Sequence, residues 1–321
     1  MTTPPESTRC VVLHADDFGM NAAVNAGILQ SLRAGVLTST SLLANAPSAA
    51  DACAAWPVLE ADRRADALPS AARRAKLGDR VLPFDLGIHL NLTQGRPLSG
   101  EAYPAELLDD VGRFPGIGTV FRRLRVEHSR FRPAVQHELR LQMEWMLDHG
   151  VRPTHLNGHQ YVELVPGVAE LIPELVQRYS IAVVRLACEP QLVRTVLSQG
   201  RIATFGIALV KRHYAKRFRR RLAAARIAAP DCFFGTAHAG LVDLPTLRRF
   251  LSCASRHGCT EIGLHPATES MADARPPSDE WFDPLAAHRP HELDWLCGSA
   301  APDCIAEFGL QLGRLSQLVN Q

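Results

Sequence analysis

Four stretches of this chain set an acid or an imidazole directly behind a short apolar run: His14-Ala-Asp-Asp-Phe-Gly19, Gly87-Ile-His-Leu-Asn-Leu92, Pro153-Thr-His-Leu-Asn-Gly-His159 and Glu261-Ile-Gly-Leu-His-Pro266. The adjacent carboxylates of Asp16 and Asp17 behind a buried strand are expensive unless something cationic compensates them. Neighbours on a regular strand point to opposite faces, so both acids can serve one site only if the strand ends there. Gly19 permits that turn. The alternative is that Asp17 merely caps a helix beginning near Asn21.

His89 is a lone imidazole on an apolar strand, a position more often filled by a hydrogen-bonded core residue than by a ligand. Asn91 lies two positions on, on the same face, where it could hold that ring or a substrate group. His155 and His159 have the spacing at which two rings meet on a helical turn. Asn157 and Gly158 argue instead for a strand end, so one of these histidines is expected as a ligand rather than both. His265 closes its own apolar run, and Pro266 forces a turn after it. Arg185, inside Val183-Val-Arg-Leu-Ala187, should pair with a carboxylate. Pairing to Asp16 and contact with substrate are both open, and either keeps Asp16 ionised. Glu292 reads as stabilising the start of the last helix.

The elements that must position these groups follow from periodicity. Cys10–Ala15, Leu37–Leu43, Asp85–Leu92, Val151–Leu156, Ile181–Ala187 and Cys259–Leu264 read as strands. Between them, Asn21–Gly35, Ala46–Trp56, Pro133–His149, Pro166–Tyr179 and Leu244–His257 read as helices, and the tail from His291 to Leu318 as helical. This alternation predicts an α/β fold with a parallel sheet, and about seven such units favour a TIM-like (β/α) barrel. In a barrel the four stretches converge on one rim. Two histidines and an aspartate would there leave coordination positions open, the catalytic arrangement for a divalent metal. Zinc suits that donor set, as do manganese, iron, cobalt and nickel, and magnesium fits with more water ligands. The chain reads as one domain over 1–321, with a basic insertion around 196–230 and a polar connection over Glu60–Pro83.

Composition narrows the partners. A net charge of +2 sets up no global field that would demand nucleic acid. No secretory signal pattern opens the chain, and no run approaches the roughly 18 apolar residues of a membrane span. Eight cysteines without a CxxC pair read as reduced and mostly buried, which points to the cytoplasm. Lys211–Arg221 packs seven Lys or Arg into eleven residues. The plain reading is a solvated helix face; the sharper one is a dock for an anionic surface or for a phosphorylated or lipid-linked substrate, hence peripheral membrane contact.

At these residues the chain resembles the YdjC-like carbohydrate deacetylase family, which includes chitooligosaccharide deacetylases and deacetylases associated with hopanoid biosynthesis. The matching stretches are HADDFGMNAAVNAGI, GVLTSTSLLANAP, GIHLNLTQGRPL, PTHLNGHQ, VVRLACEP, FFGTAHAG, EIGLHPA and the HELDWL tail. The resemblance implies a deformed TIM-like barrel that hydrolyses the N-acetyl group of an amino sugar, soluble or lipid-linked, with one divalent metal, zinc or magnesium. It also suggests a homodimer. By position, Asp17, His89 and His159 resemble the metal ligands, Asp16 the base and His265 the acid or stabiliser opposite it; Asn91, Asn157 and Arg185 would face the substrate. The chain departs from the family after His159, where His159-Gln-Tyr-Val-Glu163 replaces a run with further histidines. Two other readings compete: another metal-dependent barrel enzyme such as a phosphoesterase or aldolase, and an inactive carbohydrate-binding homologue. The first would need phosphate-binding groups at strand ends, where Arg185 alone is basic. The second would need lost ligands, and all three are present.

Overall fold

The computed structural model describes residues 9–64, 84–190, 192, 202–254, 258–269 and 281–320. The chain opens with β1 (Cys10–Phe18), whose residues are buried almost throughout, and continues into α1 (Ala22–Ala34). Asn21, in extended conformation, accepts a hydrogen bond from the Val24 amide at 2.9 Å, and Gly35 ends the helix at φ 88°. Asn21 and not Asp17 is therefore the cap, which leaves both carboxylates of the pair to other partners.

There follow β2 (Ser39–Leu42), α2 (Ala49–Arg64), β3 (Asp85–Leu90), α3 (Ile117–Asp148), β4 (His155–Gly158), α4 (Ile172–Tyr179), β5 (Val183–Val184) and α5 (Ile202–Ala224). The last part comprises β6 (Cys232–Phe234), α6 (Leu244–Ala254), β7 (Cys259–Leu264), α7 (Arg289–Cys297), α8 (Ala300–Glu307) and β8 (Gln311–Leu312). The strands lie in the order β5-β4-β3-β2-β1-β7-β6, and every pairing is parallel. This curled, incomplete barrel with helices around it is the expected deformed α/β barrel. β8 pairs with Cys10 and Val11 on the edge that β2 takes over at His14. The core is continuous under the helices, with Leu13, Ile88, Leu156 and Ile262 fully buried.

Several elements differ from expectation. α3 begins at Ile117 rather than Pro133, because the chain stays helical on both sides of a break at Glu127 (φ −116°, ψ 25°). β4 starts at His155 and β5 holds only two residues. β6, with three residues, is too short to show a period in sequence. The tail breaks after α8 at Gly309 (φ 62°) and returns as β8. Residues 60–64 of the expected connection complete α2; 65–83 lie outside the described residues, as do 196–201 of the basic insertion. Among the described residues, no helix is long and apolar enough to cross a membrane.

Candidate active site

Because the strands are parallel, the carboxyl ends of β1, β3, β4 and β7 share one rim, and the four stretches meet there around a cavity of about 370 Å³. Asp16, Asp17, His89, His159 and His265 all line it. The backbone at Asp17 turns left-handed (φ 70°), and the β1–β2 register shifts between Ala15 and Phe18. That break brings two sequence neighbours, which a regular strand would send to opposite faces, to one cavity. A non-glycine residue held at positive φ is strained backbone of the kind that collects at functional sites.

The two carboxylates have different partners. Asp17 Oδ1 faces His159 Nδ1 at 3.0 Å and His89 Nε2 at 3.5 Å, while its Oδ2 accepts from Arg289 at 2.7 Å. Asp16 Oδ2 accepts from Arg185 at 2.7 Å, its Oδ1 accepts from Asn157 Nδ2 at 2.9 Å, and His265 Nε2 stands 4.0 Å away. Burial alone would raise both carboxyl pKa values. Arg185 and His89 beside Asp16, and Arg289 and His159 beside Asp17, hold them well below the usual carboxylate range.

The proton positions at the two imidazoles follow from their outer partners. Asn157 turns its amide nitrogen to the Asp16 carboxylate, so its Oδ1, 2.8 Å from His89 Nδ1, must accept a proton carried there. Gln94 donates from Nε2 to the Phe282 carbonyl at 2.7 Å, so its Oε1 accepts from His159 Nε2 at 3.0 Å. The remaining lone pairs, on His89 Nε2 and His159 Nδ1, then both aim at the Asp17 carboxylate. Three acceptors converging in a buried place suit a cation, or a shared proton, between them. Asp17, His89 and His159 offer donor atoms that all lie within 4.8 Å of one another, and the set of two imidazoles and one carboxylate fits a divalent metal. Burial opposes a charge on His89, yet Asp16 and Asp17 raise its pKa, the same demand for positive charge expressed as a proton.

His155, the alternative to His159, does not join this group. It is fully buried, meets Thr154 Oγ1 at 3.0 Å and packs edge-on to His14. Burial pushes its pKa well below the imidazole range. Gly87 makes room for it, since a Cβ there would stand 2.3 Å from its Nε2.

The three residues expected to face substrate are fully buried and are not among those that line the cavity. Asn157 bridges His89 and Asp16. Asn91 is not a partner of His89, because β3 ends at Leu90. Its Oδ1 accepts from the Thr93 and Gln94 amides, setting the turn that carries Gln94 to His159. Arg185, fully buried over the Phe233 ring, joins Asp16 to Glu261 through bonds of 2.7 and 2.8 Å. Glu292 reaches beyond its helix: its carboxylate accepts from the amides of His265, at 2.5 Å, and Val242, at 3.1 Å, and so fixes the β7 end. His265 Nδ1 is buried without a hydrogen-bond partner, and burial depresses its pKa to about 4 despite Asp17 and Asp16.

Arg289, Asp283, Gln94 and Tyr161 carry no signal in sequence. Arg289 is held by Asp283 at 2.6 Å as well as by Asp17. Gln160 (φ 53°) and Tyr161 (φ 64°), both left-handed, follow His159 directly and turn into the cavity wall.

The family model described as YdjC-like protein matches residues 10–307. A carbohydrate deacetylase of Geobacillus stearothermophilus is 31% identical over 175 residues, 54% of this chain and 59% of that protein. One from Clostridium beijerinckii is 32% identical over 173 residues, 54% of this chain and 58% of its own length. A third, from Mus musculus, is 33% identical over 182 residues, 56% and 51% of the two chains. The matches thus span less than two thirds of these relatives. Among solved structures, an Enterococcus faecalis protein described as a candidate cellobiose-phosphate cleavage protein superposes with a TM-score of 0.68 at 19% identity, covering 97% of this chain and 99% of that one. At that identity the likeness speaks for the fold alone.

Proposed function

This chain belongs to the YdjC-like family, and from that premise we propose that it is a carbohydrate deacetylase, hydrolysing the N-acetyl group of an amino sugar with one divalent metal. The observation that carries the reading is the division of labour between Asp16 and Asp17. One is committed to two imidazoles whose lone pairs call for a cation; the other stands beside them, free of that set, with His265 opposite. The related carbohydrate deacetylases supply the reaction class.

A divalent ion held by Asp17, His89 and His159 would supply Lewis acidity, which lowers the pKa of water towards about 7 and polarises an acyl carbonyl. Asp16, fixed by Arg185 and Asn157, takes the proton of the attacking water as the water oxygen bonds to the acetyl carbon. Its depressed pKa makes it a weak base, so the proton has to move on. His14 lies closer, at 3.3 Å, but outside the cavity; His265 lines the cavity 4.0 Å from Asp16, and being neutral at working pH it can receive that proton and pass it to the departing amine. The C–N bond breaks, leaving acetate and a free amino sugar. Zinc suits this donor set, as do the other divalent first-row metals.

The test separates the roles. Asp16→Asn should keep its metal and lose turnover by about 10²–10⁴, whereas His89→Ala should lose metal as well. Near-normal turnover in Asp16→Asn would end the base assignment.

A further inference from the structure

Residues 202–224 contain seven Lys or Arg and no acidic residue, in a chain whose net charge is only +2. Among its described side chains α5 buries a single stripe, in which Ala208, Ala215, Phe218 and Leu222 pack inward at helical spacing. The opposite face is segregated along the axis. Its N-terminal end presents Leu209 and Val210, 42% and 45% exposed, with Ile207 at the edge. Its C-terminal end presents His213, Lys216, Arg217 and Arg220. Of the seven large hydrophobic residues exposed among the described residues, three fall within this one turn.

An ordinary solvated helix intersperses acids among its bases. Here Arg221 meets Glu170 at 3.6 Å and Arg219 meets the Asp231 carbonyl, but among the described residues Arg212, Lys216, Arg217 and Arg220 have no acidic partner. His213, Arg217, Arg220 and Arg221 line one shallow depression of about 730 Å³ beside Pro173. Such a cluster fits anionic head groups. The apolar turn beside it decides between polyanions, since a nucleic acid backbone offers it nothing, whereas a bilayer offers head groups and hydrocarbon together.

We propose that the exposed face of α5 docks the protein on an anionic lipid bilayer, with Leu209 and Val210 entering the interface and Arg212, Lys216, Arg217 and Arg220 on the head groups. Leu209 and Arg220 are separated by roughly 16 Å of helix, so the axis meets the surface obliquely, apolar end deepest. Ile207 and Lys211 also line the catalytic cavity, and an apolar groove of about 460 Å³ between α3 and α5 runs into it. Docking therefore brings the cavity mouth to the membrane surface.

The test is co-sedimentation of the full chain with phosphatidylcholine vesicles, plain or containing roughly one third phosphatidylglycerol, at low and high salt. The protein should bind the anionic vesicles, leave the neutral ones, and be released by salt. Arg212→Gln/Lys216→Gln/Arg217→Gln/Arg220→Gln should lose about fivefold in partition per charge removed. Leu209→Ser/Val210→Ser should weaken binding at unchanged charge, which keeps the test sound if the charge variant fails to fold. Equal binding to both vesicle types, retention by either variant with its melting midpoint intact, or binding to duplex DNA in place of vesicles would overturn the proposal. The assay reads binding alone, so its failure leaves the deacetylase reading untouched.

Discussion

Asn157→Leu tests the logic of the site at a residue that touches no metal. The side chain is fully buried, accepts from His89 Nδ1 at 2.8 Å and donates to Asp16 at 2.9 Å. Leucine fills a similar volume and removes both bonds, so the His89 ring loses the acceptor that fixes its proton on Nδ1 and its lone pair on Nε2. Removing an outer partner of a ligand imidazole lowers metal affinity about 10–100-fold, or roughly 1.4–2.7 kcal/mol. The structure places the loss at the lower end, because Ser41 Oγ stands 3.3 Å from His89 Nδ1 and 3.4 Å from Asp16 and can take over part of the work. We expect about tenfold weaker zinc binding for Asn157→Leu and about a hundredfold for Asn157→Leu/Ser41→Ala. Competition titration against a chromophoric chelator measures both, with the melting midpoint as a check on folding. Wild-type affinity in the double variant would refute the tautomer argument and, with it, the reason for assigning Nε2 to the metal.

Three further outcomes follow. Arg289→Met leaves Asp17 and Asp283 buried without their cation, and urea unfolding should show about 3–5 kcal/mol less stability, as for other broken buried pairs; a change below about 1 kcal/mol would contradict that role. Glu163 is fully buried with neither carboxylate oxygen hydrogen-bonded, and burial pushes its pKa up to about 7. A raised carboxyl pKa gives stability that is complete below the unfolded value of 4.5 and lost as pH rises through about 7. Glu163→Gln should therefore melt higher than wild type at pH 8, with the advantage shrinking towards pH 5, and parallel melting curves across that range would speak against it. Gln94→Leu should weaken metal binding by about tenfold, because it removes the acceptor that holds the His159 proton on Nε2; unaltered binding in the same titration would count against that tautomer.

Much of this arrangement was legible in sequence because parallel α/β folds put chemistry at the carboxyl ends of strands. Acids or imidazoles closing four apolar runs were enough to gather Asp16, Asp17, His89, His159 and His265 around one cavity. The left-handed turn at Asp17 was not readable, since only Gly19 advertised a break and the residue that turns first is an aspartate. The role expected of Asn91, holding the His89 ring, falls to Asn157 for a similar reason. Alternation through Asn91 presumes that β3 continues, but it ends at Leu90, while the β3–β4 register sets Asn157 opposite His89, a pairing no local pattern encodes. Arg289 and Asp283 come from a helix start and the connection before it far along the chain, and only closure of the fold brings Arg289, with Asp283 holding it, to Asp17.

The most direct measurement is acetate release from N-acetylglucosamine-containing substrates by metal-loaded protein, before and after chelation and again after metal is restored. Acetate should appear in step with new free amine, be abolished by the chelator and recover with the metal. A folded protein holding one metal ion per chain that releases no acetate from any of these sugars would contradict it.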